Sequence, residues 1–166
     1  MLDPPAMTGI LGLAVSVMKQ TPYIEKFTPA AQARTRRKHW PAGTDFVSLY
    51  QNRQLFKHFD RRCLQDYINS AMPIKNNRYE LFFDADKEAE IFRTIPTNLA
   101  KLKNKLQVPA ALIYGEDTDI FPPYFFKKFA NQNKRIALSK TQGGHMFPLE
   151  FPEVTSEKIK GIIKSW

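Results

Sequence analysis

The chain has 166 residues, the length of one ordinary domain, with 43% hydrophobic, 13% aromatic and 25% charged residues, a balance that excludes an extended disordered chain. Its single cysteine, Cys63, excludes an internal disulfide and a cysteine-rich zinc site, and no apolar run approaches the ~20 residues of a membrane span. The formal charge of +9 is uneven: residues 1–107 carry 17 Lys/Arg against 10 Asp/Glu, and residues 108–166 carry 8 against 6. A lone thiol and a start, Met1-Leu2-Asp3-Pro4-Pro5, without a basic leader make a cytoplasmic setting the expectation.

Residues 1–107 read as short helices separated by turn signals, with no good strand among them. Gly9 to Gln20 sets Ile10, Leu11, Ala14, Val15, Val17 and Met18 at helical spacing. Thr28-Pro29 reads as a cap followed by a first-turn proline, opening a helix to about Trp40. Pro41-Ala42-Gly43 interrupts, and Thr44 with Asp45 starts another helix through Asn52. Asp60 caps a helix to Met72 whose Leu64, Tyr67, Ile68 and Met72 form one apolar stripe. Pro73 to Arg78 reads as a loop, and Lys87–Thr94 and Thr97–Gln107 as two more helices.

The texture changes at Val108. Val108 to Tyr114 is a continuous apolar run ending in Gly115, as a buried parallel strand reads. Pro123 to Asn131 follows as a helix, Arg135 to Leu138 as a second strand, Thr141 to Pro152 as a loop. Glu153 to Trp166 closes as a helix with Val154, Ile159, Ile162 and Ile163 on its inner side. The fold class is therefore α/β, ending in two strand–helix units of a parallel sheet. Two strands cannot cover such a sheet, so its open edge invites a second copy or a separately encoded N-terminal half.

Ligands of open parallel sheets bind beyond the carboxyl ends of the strands. The first strand runs into Gly115-Glu116-Asp117-Thr118-Asp119 and the second into Gly143-Gly144-His145. A carboxylate and an imidazole on neighbouring strand ends suit general-base chemistry, because the acid fixes the ring's tautomer. Taken singly, a loop histidine reads as a surface group and an Asp after a strand as a cap. Glu116, Asp117 and Asp119 also read as a cation-attracting cluster, but with too few oxygens for a hard metal. His39 and His58 lie far from His145 along the chain, so zinc is not suggested. Neither a metal nor a cofactor is expected.

Together, Val108 to Asp119 and Gly144-His145-Met146-Phe147-Pro148-Leu149-Glu150-Phe151-Pro152-Glu153 resemble the C-terminal end of an α/β-hydrolase. Leu2-Asp3-Pro4-Pro5 resembles the exit of the strand after that family's nucleophile helix, and Glu90 to Pro96 the end of its lid. The resemblance implies a partial fold: residues 1–7 ending a core strand and leading into a lid, 8–107 the helical lid, 108–166 the last part of the core. It implies His145 as general base and Asp119 as the acid, with Asp117 as the alternative. Thr118 takes the Ser place of a Gly-x-x-Ser-Asp loop, while Glu116 and Glu150 have no catalytic role. The implied reaction is triad hydrolysis of an ester-type bond in a hydrophobic small molecule. Met7, Ile10, Met18, Phe46, Tyr50 and Phe147 are the expected pocket walls, with ordinary helix packing as the competing role for each.

One departure is large: the sequence contains no Gly-x-Ser-x-Gly elbow. Without the nucleophile this chain is expected to be inactive alone. A different class of function rests on Arg34-Thr35-Arg36-Arg37-Lys38-His39, a basic helix that could contact phosphates with Trp40 stacking on a base. No named nucleic-acid motif accompanies it.

Overall fold

The computed structural model describes residues 1–5 and 7–166; Ala6, inside the segment expected to lead into the lid, lies outside the described residues. The chain forms two compact units, Met1–Val17 with Pro96–Trp166, and Met18–Ile95. The first helix, α1 (Gly9–Met18), belongs almost wholly to the first unit. Gly12 faces the Met7 and Thr97 carbonyl oxygens, which a β-carbon there would meet at 3.4 and 3.5 Å, ordinary contact distances. Helix α1 buries Gly12 and Val15, and Ile10 is left 87% exposed.

The 18–95 unit begins with two short helices, α2 (Ile24–Phe27) and α3 (Ala30–Arg34). The helix expected to reach Trp40 stops at Arg34, and His39–Pro41 is instead a strand, β1. Asp45 caps α4 (Phe46–Gln51) by accepting from the Ser48 backbone N–H, and Asp60 caps α5 (Arg61–Ala71) by accepting from that of Arg62. The expected loop at 73–78 is a hairpin between β2 (Ile74–Lys75) and β3 (Arg78–Glu80). Asn76 and Asn77 make its two-residue turn at φ +49° and +56°, values that asparagine tolerates better than most residues. Strand β1 pairs antiparallel with the other side of β3, which gives a three-stranded sheet where no strand was expected. Asp84 caps α6 (Ala85–Arg93).

The core of this unit is aromatic. Trp40, Phe46, Tyr50 and Phe56 are buried with Leu64, Ile68 and Met72, so the α5 stripe faces inward as its spacing predicts. The Phe46 ring meets Trp40 at 5.4 Å and Tyr79 at 4.8 Å, both edge to face, a favourable quadrupole arrangement. A smaller core joins α3 and α6 through Ala30, Ala33 and Ala89.

The first unit resumes with β4 (Ala110–Gly115), α7 (Pro123–Asn131), β5 (Ile136–Thr141), α8 (Phe147–Glu150) and α9 (Pro152–Lys164). The helix expected at 97–107 is reduced to one 3₁₀ turn, Leu99–Leu102. Strands β4 and β5 are parallel, register Leu112 opposite Leu138. Leu112, Tyr114, Phe126 and Phe129 form the core between sheet and α7. In α9 the expected inner face is only half right: Ile159 and Ile162 are partly buried, whereas Val154 and Ile163 are exposed.

A third parallel element comes from the start of the chain. The Met1 ammonium donates to the Ala111 carbonyl at 2.7 Å, the Ile113 N–H to Met1 at 2.9 Å, and the Asp3 N–H to Ile113 at 2.7 Å. Residues 1–3 thus lie along β4, parallel to it, on the side away from β5. Among the described residues no helix is long and apolar enough to cross a membrane.

Candidate active site

Three parallel segments end at the same edge, and their exits carry Asp3, Thr118 and His145. The last two are brought together by zipped loops. The Glu116 N–H donates to the Thr141 carbonyl at 2.8 Å, and the Asp117 N–H to that of Gly143 at 3.0 Å. Gly115 permits this approach, since a β-carbon there would collide with the carbonyl oxygens of Gly143 and Gly144. On the far side of the histidine loop, Gly143 sits at φ +99° and the Gly144 N–H donates to Glu150 Oε2 at 2.8 Å.

His145 Nδ1 lies 2.7 Å from Asp3 Oδ2, and the Thr118 hydroxyl donates to the same oxygen at 2.6 Å. Asp3 is 3% exposed and the His145 side chain 35%. A buried carboxylate on Nδ1 holds the proton on that nitrogen and turns the Nε2 lone pair outward. Asp3 adopts φ +38°, a left-handed conformation before a proline, where extended backbone is the norm. Such strain costs on the order of 1–3 kcal/mol and collects at functional sites.

This geometry differs from the expected pairing. The carboxyl that meets His145 belongs to Asp3, whereas Asp119 and Asp117 are both exposed on the loop after β4. The reason is register: β4 runs to Gly115, and the tight approach of the two loops turns the hydroxyl at 118 inward. The family resemblance puts both Leu2-Asp3 and Asp119 at strand exits, and of the two carboxyl groups it is that of Asp3 which lies against the ring.

The six expected pocket-wall residues are divided between the two units. Phe46 and Tyr50 are buried in the aromatic core of the 18–95 unit, where Phe46 also lines a cavity of about 220 Å³ with Val47, Ile68, Met72 and Tyr79. Phe147 is fully buried, Met7 is buried, Met18 is partly buried and Ile10 points to solvent. None of the six serines sits on a strand-to-helix turn: Ser16, Ser48, Ser70 and Ser156 are in helices, Ser139 is in β5, and Ser165 follows α9. Among the described residues no cluster of His, Cys, Asp and Glu could hold a metal.

The basic segment is folded into its own unit. Arg34 pairs with Glu25 at 3.0 Å, Arg36 pairs with Glu88 at 3.0 Å, and Arg93 also reaches Glu25. Trp40, expected to offer a stacking face, is 6% exposed with Arg37 over its ring.

No family model and no curated protein matches the sequence. Solved structures do. The chain is similar to the peroxisomal alpha-beta-hydrolase Lpx1 of Saccharomyces cerevisiae over 99% of its own length and 46% of that chain, at 17% identity and a TM-score of 0.75. It is similar to a Mycobacterium tuberculosis esterase over 93% of its length and 52% of that chain (14% identity, TM-score 0.65). It is also similar to the thioesterase domain of the curacin biosynthetic pathway over 89% and 62% (12% identity, TM-score 0.59). The chain therefore has an α/β-hydrolase-like fold and spans about half the length of the structures it matches.

Proposed function

We propose that Asp3 and His145 are the acid and base of an ester-hydrolysing Ser-His-Asp triad whose serine lies outside these 166 residues. The observation that carries this reading is the 2.7 Å contact between a partly exposed imidazole and a buried carboxylate at the carboxyl edge of a parallel sheet. In the reaction, Nε2 takes the proton as the serine oxygen attacks the ester carbonyl, and Asp3 stabilises the imidazolium that forms. The same proton passes to the departing alkoxide, leaving an acyl-enzyme. Water then attacks with His145 again as base, releasing the acid and restoring the serine. The esterase and thioesterase among the similar structures support an acyl substrate. The abundance of phenylalanine supports a hydrophobic small molecule.

The sheet supports the idea that the rest of a core docks here. Met1 and Leu2 are exposed along the outer edge of the N-terminal segment. Beside it lies an apolar groove of about 220 Å³ lined by Pro109, Ala111, Ile113, Ile159, Ile162 and Trp166. The occupant in this reading is the nucleophile-bearing half of a hydrolase core, whether on the same polypeptide or a separate one.

The test starts from the coding DNA ahead of the Met1 codon, where a Gly-x-Ser-x-Gly elbow is expected. Protein carrying that elbow is expected to react with a fluorophosphonate at its serine and to hydrolyse aryl esters. His145→Ala is expected to abolish turnover, and the 166 residues alone to show neither reaction. Retention of esterase activity by His145→Ala, or serine labelling of the 166 residues alone, overturns the reading.

A further inference from the structure

We infer that Thr118 is a positioning residue that holds the Asp3 carboxylate in register with His145; the inference rests on the reading of that pair as acid and base. Two donors, the Thr118 hydroxyl at 2.6 Å and His145 Nδ1 at 2.7 Å, converge on Oδ2. Asp3 Oδ1 is buried and has no hydrogen-bond partner among the described residues. The last torsion of a carboxylate is broad, so the orientation of its plane is set by the groups that hydrogen-bond to it. With Oδ1 unpartnered, those groups are Thr118 and His145.

The His145 ring is partly exposed, on a loop built around Gly143 and Gly144. Thr118 stands on a turn closed by its own N–H to the Gly115 carbonyl at 3.2 Å and tied to the histidine loop through Asp117. Thr118 is thus tied to the loop that carries the ring, and its contribution is to hold the acid's plane toward that ring. A hydroxyl suits this place because a carboxylate there would face the Asp3 carboxylate across a hydrogen-bond distance, and like charges at that range repel.

The test is ring NMR on the full chain labelled with ¹⁵N-histidine, the His145 signals being assigned by their loss in His145→Gln. The parent is expected to carry its proton on Nδ1. Thr118→Val and Thr118→Ala both delete the hydroxyl, one keeping the bulk and one not, and circular dichroism confirms that each is folded. Both are expected to lower the ratio of Nδ1-bound to Nε2-bound proton by roughly tenfold, the scale of one lost hydrogen bond to a charged group. Thr118→Ser, which retains the donor, is expected to restore the parent ratio. A general loosening of the fold would not be rescued by serine. Asp3→Asn separates the two levels of the argument. If Asp3→Asn shifts the ring and neither hydroxyl-deleting variant does, the role given to Thr118 is overturned and the acid–base pair stands. If Asp3→Asn leaves the ring unchanged, the pair itself falls, and the role of Thr118 with it.

Discussion

Asp3 and His145 are 142 positions apart in the chain and 2.7 Å apart in space. The contact exists because residues 1–3 lie along β4 and deliver a carboxyl at the strand exit, where the loop after β5 delivers the ring. Two features mark this pair: a buried carboxyl group on a strained backbone, and a partly exposed imidazole.

The approach of the two loops depends on a missing side chain. Gly115→Ala sets a methyl group against two carbonyl oxygens of backbone that cannot rotate away. It is expected to destabilise the 1–17/96–166 unit by roughly 1–3 kcal/mol. Gly161→Ala is the control: it lies inside α9 with nothing within 4 Å of an added β-carbon, and is expected to stabilise by about 0.5–1 kcal/mol. Thermal unfolding of the two variants should move in opposite directions.

Leu112 is fully buried in the centre of β4, among Tyr114, Phe126 and Phe129. Leu112→Ala is expected to cost roughly 2–5 kcal/mol through lost burial and a residual cavity. In urea unfolding the midpoint should fall with little change in slope, since the surface exposed on unfolding is nearly the same.

The helix caps of the 18–95 unit make its stability depend on acidity. The Arg62 side chain, then its backbone N–H, holds the Asp60 carboxyl at about 2, below its ordinary 3.8. The Ser48 hydroxyl lowers Asp45, and the backbone N–H groups of Lys87 and Asp86 lower Asp84. A depressed carboxylate contributes stability that is complete above its unfolded pKa and disappears as pH falls through the folded one. Stability of this unit should therefore be flat above about pH 5 and fall between about pH 4 and pH 2. Asp60→Asn keeps an acceptor for the Arg62 N–H but no charge, so unfolding followed by near-ultraviolet circular dichroism should show a shallower acid limb.

Much of the fold was legible because period and caps agree. Asp45, Asp60 and Pro123 mark helix starts that the structure keeps, and the apolar run at 108–114 contains most of the buried strand β4, which begins at Ala110 and leaves Val108 exposed. What escaped was short and non-local. Strands of two or three residues, such as Ile74–Lys75 and His39–Pro41, are too brief to show alternation, and their partner β3 is fixed by a hairpin turn and a long-range pairing. Asn76-Asn77 was the one local sign of that hairpin. For the site, the position of His145 on the loop after the second strand was legible, whereas its contact with Asp3 was not, because a carboxylate at the end of a three-residue strand segment carries no signal of which loop it will meet. Asp119 resembles a family acid in sequence, but its side chain stays in solvent.

The most direct measurement is the ester-hydrolysis kcat of nucleophile-bearing protein with single carboxylates removed. Asp3→Asn should lower kcat by on the order of 10⁴, the scale seen when a triad acid loses its charge, and Asp119→Asn should leave it within about twofold, as a substitution on an exposed loop does. A collapse in Asp119→Asn with Asp3→Asn unimpaired would contradict the account.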